Sequence, residues 1–299
     1  MHKFIRSNKN PNTHVFVCEY NWPIEERLKG RALVIKVNSL DDIKNIQSHL
    51  DETTKVDAFV YRDDFASLET IDINPSWGNT PVILYINRLG QFRNVHHKVG
   101  LLRQLNVIVI FTSTEKQACR DAQILASLGI HTGIQIKPDA ELGEDVLDLI
   151  TYSFYGTMPH AEIEPFATME KYYDGESYVS PNLAEFVNPD RYIHIDRDLN
   201  LAFSEKELKD GIILKEKYPY LRTEEFADAA EAHSLKWQDW FVESHKCTFC
   251  PAFRVCMGFF SQEGKQENPN CRKVMTELLE AIEFHKTRLQ QNNKKTCQL

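Results

Sequence analysis

The stretch VIVIFTSTEKQACRDAQILASLGIHTGIQI, residues 107–136, contains one complete strand–helix–strand unit. Val107 to Phe111 is a continuous apolar run, as is typical of a strand that a parallel sheet buries on both faces. Thr112 to Thr114 offer cap side chains for the helix that follows, and Gly129 offers its stop before a second strand at His131 to Ile136. The stretch predicts an α/β fold with parallel pairing.

The same alternation extends over the N-terminal half of the chain. Further candidate strands are Thr13 to Glu19, Ala32 to Val37, Val56 to Tyr61 and Pro81 to Ile86, and helices are predicted to start near Leu40, His96, Glu115 and Glu141. Each unit has about the size of a βαβ step. Too few units precede the change of pattern near residue 157 to close an eight-fold barrel, so we expect a partial, open β/α barrel.

Four regions are predicted along the chain: a partial barrel over residues 1–157, a connector over 158–190, a small α+β domain with a metal cluster over 191–290, and a disordered tail over 291–299. The connector interleaves Tyr, Phe and Glu, which suits either a peptide-binding groove or a packed irregular segment.

The predicted C-terminal region opens with a hairpin at Arg191 to Phe203, with its turn at Asp198 to Asn200 and with outward polar residues that include His194. A helix is predicted over Thr223 to Phe241. The run after Cys271 is amphipathic at helical spacing, with Met275, Leu278, Leu279 and Ile282 on one stripe.

Composition excludes several classes of function. The net charge is −8 and the pI is near 5.8, which argues against a nucleic-acid partner because phosphate binders concentrate Lys and Arg. The N-terminus has no apolar segment of signal-peptide length, and no 18 apolar residues run together, so we expect a cytoplasmic protein with no membrane association. No glycine-rich phosphate loop is present.

Four of the seven cysteines, Cys247, Cys250, Cys256 and Cys271, follow the spacing C-x2-C-x5-C-x14-C. A C-x2-C pair lets two thiolates converge on one ion or cluster from a tight turn, and the later cysteines complete a four-sulfur set. A reducing cytoplasm disfavours disulfides. The spacing therefore predicts a metal site, with iron–sulfur and zinc both open, and reduced core cysteines as the alternative.

The hairpin of the form IHID-x-x-x-N at residues 193–200 and the motif C-x2-C-P-x4-C-x-G at 247–258, after a partial barrel, resemble radical-SAM peptide maturases with a SPASM-type C-terminal domain. The resemblance implies that Cys247, Cys250, Cys256 and Cys271 ligate one auxiliary 4Fe-4S cluster, with zinc as the alternative. A second auxiliary cluster is not implied, because Phe260 and the hairpin residues Ala202 to Ser204 stand where cysteines would be needed.

The chain departs from this family where the catalytic cluster belongs. It has no C-x3-C-x2-C loop, since Cys18 stands alone, and the sequence after VDAFVY is RDD in place of the GGE element. SAM is therefore not expected as a cofactor, and no catalytic residue is predicted. The resemblance implies a pseudo-radical-SAM protein that binds a peptide precursor or a partner maturase. The alternatives are an electron-transfer protein or redox enzyme and a zinc-stabilised interaction module.

Other residues give weaker signals. His96 and His97 are adjacent and predicted to be solvated surface histidines. Asp63 and Asp64 follow the third candidate strand, where α/β proteins place sites, but a cap or a charged loop explains them as well. Cys119 is predicted to be a small core residue, and Cys297 a free thiol in the tail.

Overall fold

The structure, a computed structural model, describes residues 13–20, 27–175, 178–215, 217–219, 223–235, 245–261, 268 and 270–296. Within these ranges nine strands form one sheet in the order β7-β6-β5-β4-β3-β2-β1-β8-β9. The strands are β1 Val15–Glu19, β2 Ala32–Val37, β3 Lys55–Ser67, β4 Val82–Arg88, β5 Val107–Phe111, β6 Thr132–Ile134, β7 Ile163–Glu164, β8 Tyr192–Ile195 and β9 Leu201–Ala202.

The α-helices of the described residues are α1 Asp41–His49, α2 Phe92–Val95, α3 Val99–Gln104, α4 Lys116–Ser127, α5 Glu144–Tyr155, α6 Phe166–Tyr172, α7 Glu205–Lys209, α8 Thr223–Leu235, α9 Phe253–Cys256 and α10 Cys271–Thr296. Short 3-10 helices lie at Pro75–Trp77, His96–Lys98, Pro181–Glu185 and Lys246–Phe249. No helix among the described residues is long and apolar enough to cross a bilayer.

Strands β1 to β7 stand side by side in chain order, and all pairs except β8 with β9 are parallel. Right-handed crossovers between strands in this order place the connecting helices on one face of the sheet. The architecture is consistent with the predicted partial barrel, and we call the opposite face of the sheet the concave face. The α/β class and the parallel pairing are confirmed.

The two faces of the sheet bury different side chains of the same strands. Phe16, Leu33, Phe59, Leu84 and Val109 belong to the large core that packs under the helices. The second core, on the concave face, contains Val15, Val17, Val34, Ala58, Val60, Ile83, Tyr85 and Ile110. Burial on both faces explains why the strands read as continuous apolar runs rather than as an alternating pattern.

Most predicted elements of the first half are confirmed within a few residues. The third strand is longer than predicted and runs to Ser67. Helix α4 begins at Lys116, and the Ser113 hydroxyl accepts a hydrogen bond from the Glu115 N–H at 3.0 Å. Gly129 follows its end with a φ of 76°, a conformation that glycine adopts without steric cost. The region near His96 is less regular than predicted, since a 3-10 turn separates two short helices.

Three details differ from the sequence-based expectations. The predicted connector contributes strand β7, so the sheet extends past residue 157. The sequence does not reveal this strand, because two residues are too few to show a periodic pattern. The hairpin is present, but His194 is only 3% exposed because both faces of β8 are covered. The predicted disordered tail is helical as far as Thr296, since no Gly or Pro stops α10. Residues 236–241 of the predicted helix and the last three residues lie outside the described ranges.

Candidate metal centre

The first two cysteines lie in a tight turn. Cys247 is in the 3-10 helix Lys246–Phe249, and Cys250 immediately follows it and donates its N–H to the Cys247 carbonyl at 3.0 Å. The ring of His245 accepts the Cys247 N–H at 3.2 Å, and this caps the turn. Phe249, between the two cysteines, is 79% exposed. This is the local geometry that a C-x2-C pair needs to direct two sulfurs to one side.

The third cysteine is held at the end of a helix. Cys256 is the last residue of α9, and Met257 and Gly258 then adopt left-handed backbone conformations with φ of 48° and 69°. The reversal brings the N–H groups of Phe259 and Phe260 to the Cys256 sulfur. Burial raises the pKa of the Cys256 thiol to about 12, and these two hydrogen bonds oppose the rise. Hydrogen bonds from backbone N–H groups to sulfur stabilise thiolates that bind metals.

The fourth cysteine begins the long helix α10. Asn270, the residue before Cys271, donates its side-chain amide to the Leu142 carbonyl at 2.8 Å, and Lys273 pairs with Glu144 at 2.6 Å. These contacts fix the start of α10 against the loop before α5. Cys271 is therefore positioned by contacts with the loop before α5 and with the start of α5.

The four thiols share one electrostatic environment. Burial raises the pKa of the Cys247 and Cys271 thiols, and neighbouring thiols add to the rise: Cys250 acts on Cys247, and both Cys247 and Cys250 act on Cys271. Cys247 and Cys271 likewise raise the pKa of Cys256. Sulfurs 24 residues apart in sequence thus lie close enough in space to oppose one another's ionisation.

The four thiols lie near one another, but in the structure they are not arranged as a set of metal ligands. Across the described residues, no three His, Cys, Asp or Glu side chains are grouped so that they could hold a metal ion directly. Residues 262–267 and 269, which link the third cysteine to the fourth, lie outside the described ranges. The donor set itself suits a metal that prefers sulfur, because four thiols with backbone donors around them match zinc or an iron–sulfur cluster.

The cysteine region is anchored to the barrel through Arg254. Its carbonyl accepts the Val179 N–H at 2.7 Å, and its guanidinium donates to the Gly175 carbonyl. The rings of Tyr178 and Phe253 meet edge to face with centroids 5.9 Å apart. The segment between Cys250 and Cys256 therefore holds the chain that leads to residues 181–192, which cover the concave face of the sheet.

Further contacts join α10 to the barrel. The His285 ring is 2.6 Å from a Glu170 carboxylate oxygen, and the Tyr173 hydroxyl donates to Glu283 at 2.8 Å. The first pair links α10 to α6, and the second links α10 to Tyr173, the residue after α6.

Residues 181–192 and the strands beneath them enclose a cavity of about 190 Å3 on the concave face. Its lining includes Tyr85, Gln135 and Glu185, which the sequence analysis did not single out. Burial raises the pKa of Glu185, and Gln135 donates to it at 2.8 Å. A Glu in an irregular segment gives no signal in the sequence, because its burial depends on how the segment crosses the barrel.

The remaining sequence candidates have structural roles. His96 and His97 are exposed, as predicted. Asp63 accepts the N–H groups of Phe65 and Ala66 in the last part of β3, where the register with β4 shifts. Asp64 pairs with Arg62 at 3.0 Å.

The two isolated cysteines of the described barrel are core residues. Cys119 is 4% exposed, as predicted, and its thiol faces the Thr114 carbonyl at 3.5 Å. Cys18 is 2% exposed within β1 and faces the Val34 carbonyl at 3.7 Å. Burial raises the pKa of each thiol to about 12. Cys297 lies outside the described residues.

Together, these features define the class: an α/β protein with a nine-stranded, mostly parallel sheet and four neighbouring thiols in its C-terminal part. Comparisons of the chain with protein-family models, with curated proteins and with solved structures give no match.

Proposed function

We propose that this chain is a non-catalytic, pseudo-radical-SAM protein of a peptide-modification system, with one 4Fe-4S cluster held by Cys247, Cys250, Cys256 and Cys271 in a SPASM-like domain. It binds a ribosomally made peptide precursor, a partner maturase, or both. The observation that carries the proposal is the shared electrostatic environment of four thiols that come from three separate elements.

The surroundings of the thiols support a metal. A cation offsets the mutual repulsion of thiolates that otherwise raises their pKa values. The N–H groups of Phe259 and Phe260 at Cys256 add donors that a core thiol does not need. A closed centre with four thiolates stabilises the fold and, as an iron–sulfur cluster, also transfers single electrons. Zinc is the second candidate, because the same donor set binds it.

The environment of Cys18 supports the absence of radical chemistry. Ligands of a catalytic cluster must ionise and reach an exposed loop, whereas Cys18 is enclosed in β1 and its pKa is raised to about 12 by burial. The concave face is also largely filled. Its cavity of about 190 Å3 is smaller than the ~300–1,000 Å3 of sites for drug-sized ligands, a class that includes SAM.

The metal proposal is tested by anaerobic purification followed by quantification of iron, sulfide and zinc, with visible absorption spectra. The variant is Cys250→Ala, and the matched control is Cys119→Ala, which removes a thiol from the barrel core. We expect about four irons and four sulfides per chain in the wild type and in the control, and their loss in Cys250→Ala. One zinc without colour selects the zinc alternative, and absence of both metals rejects the proposed centre.

The partner proposal is tested separately, by binding of the tagged chain to purified radical-SAM maturases and to their ribosomally made precursor peptides. We expect a stable complex with at least one of them in size-exclusion chromatography and calorimetry. Peptide turnover by the chain itself, with SAM and a reductant, would contradict the non-catalytic assignment. Failure to bind either protein would remove the peptide-modification role and leave the metal centre untouched.

A further inference from the structure

The cavity on the concave face has the size of a site for a small ligand. Its volume of about 190 Å3 exceeds the ~150 Å3 of an engineered apolar cavity that binds benzene. It lies between strands β4 to β7 and residues 181–192. Gly133 pairs with Ile110 in β5, and because it has no Cβ the Glu164 backbone of β7 can approach it closely.

The walls of the cavity are largely aliphatic. Ile83 and Ile110 belong to the buried core of the concave face, and Ile108 packs against that core while partly exposed. Leu183 and Phe186 cover the cavity from the crossing segment. These side chains favour an apolar ligand body.

The polar side chains Gln135 and Glu185 of the cavity lining are paired with one another. The Arg62 guanidinium donates to the Gln135 side-chain carbonyl, and Gln135 donates to Glu185. Arg62 also lies over the Tyr85 ring, 5.0 Å from its centroid. The Arg62 guanidinium and the Glu185 carboxylate stand at the two ends of this hydrogen-bonded chain, so their charges do not require a charged ligand.

The open end of the cavity carries positive charge. Lys171 is exposed, and the Arg191 side chain is 45% exposed. Arg191 is 3.5 Å from Asp57 and donates to the Tyr172 hydroxyl at 3.4 Å, which orients the guanidinium at the rim.

A second acidic residue besides Glu185, Glu164, also lines the cavity. Its carboxylate already accepts the Thr168 N–H at 3.1 Å and lies 3.4 Å from the His131 ring. These contacts direct the Glu164 carboxylate toward Thr168 and His131, and Lys171 and Arg191 supply the positive charge among the residues that line the cavity.

We propose that this cavity binds a small carboxylate with an apolar body, its carboxylate at Lys171 and Arg191 and its body against Ile83, Ile108 and Ile110. A free medium-chain carboxylic acid and the C-terminal residue of a peptide both have this chemistry. None of the four cysteines lines the cavity, so the site is tested on the full chain without altering a cysteine.

The experiment is isothermal titration of the full chain with octanoate, 1-octanol, octylamine and an N-acetylated tripeptide that ends in leucine. We expect octanoate or the tripeptide to bind more tightly than octanol and octylamine, and the tighter of the two identifies the source of the ligand. Lys171→Ala should weaken that binding about two- to five-fold, as expected for an exposed ion pair, while Lys116→Ala on α4 should not.

A second variant fills the cavity. Ile108→Phe should abolish carboxylate binding, whereas the same substitution at Ile124, 39% exposed on α4, should leave it intact. Leu183→Trp fills the space from the crossing segment if Ile108→Phe does not fold. Octanol or octylamine binding as tightly as the carboxylates, or carboxylate binding that Lys171→Ala and the cavity variants leave unchanged, would overturn the proposal.

Discussion

Replacement of His194 by glutamine should remove a large part of the acid sensitivity of this fold. His194 lies in β8 at 3% exposure, and its Nε2 is 3.0 Å from the Phe186 carbonyl oxygen. Burial lowers the pKa of His194 to about 4, and the nearby Lys36 ammonium contributes to the shift. The Phe186 carbonyl and the carboxylates of Glu205 and Glu207 act in the opposite direction, but more weakly.

The sign follows from the two protonation states. The pKa of His194 is the ordinary 6.5 in the unfolded chain and about 4 in the folded chain. The free energy of unfolding therefore has its full value above pH 6.5, and it falls as the pH drops toward 4. At pH 7.5 both states are neutral. At pH 5 the unfolded chain binds a proton at His194 and the folded chain does not, which costs about 2 kcal/mol of the free energy of unfolding.

The assay is urea unfolding at pH 7.5 and pH 5, followed by far-UV circular dichroism. Glutamine can still donate to the Phe186 carbonyl but does not titrate, so H194Q should lose about 2 kcal/mol less than the wild type between the two pH values. His97→Gln on the exposed surface controls for loss of a histidine. Equal pH dependence of the wild type and H194Q would refute the argument that burial holds this ring neutral.

Three further substitutions test the packing. Leu278→Ala, at a fully buried position of α10, should destabilise the protein by about 2–5 kcal/mol in urea unfolding, and Leu279→Ala, at the half-buried neighbour, should cost clearly less; equal losses would contradict the burial pattern. Cys18→Ala should cost about 1 kcal/mol and leave the metal content unchanged; metal loss would make Cys18 a ligand. Gly133→Ala would place a Cβ 2.8 Å from the Glu164 backbone nitrogen and against its carbonyl oxygen, and should cost about 1–3 kcal/mol in thermal unfolding; a neutral outcome would mean that β6 and β7 are not paired this closely.

Local sequence patterns predicted the barrel strands well because burial on both faces demands continuous apolar runs. Val107–Phe111 and Ala32–Val37 are observed with the predicted bounds. The helix after Thr112 to Thr114 and its stop at Gly129 follow from cap chemistry, which acts over a few residues. Strand β7 was not predicted, since its two residues are extended only because Thr132 and Gly133 lie beside them.

The four-cysteine spacing is likewise a property of the sequence, and the spacing alone predicts a metal site. The fold adds that Phe259 and Phe260 donate to the Cys256 sulfur, and that Arg254 and Asn270 tie the region to the barrel. The contacts of Arg254 with Gly175 and of Asn270 with Leu142 join residues 79 and 128 positions apart, so no local pattern contains them.

The sequence by itself determined the α/β class, the parallel pairing and the grouping of the cysteines, because each depends on short-range periodicity, capping or spacing. Only the tertiary structure decided that His194 is buried, that Cys18 is a core thiol, and that Lys171, Arg191 and Glu185 line one cavity. Burial and electrostatic environment arise where distant segments meet, and residues 181–192 acquire both only by crossing the concave face of the sheet.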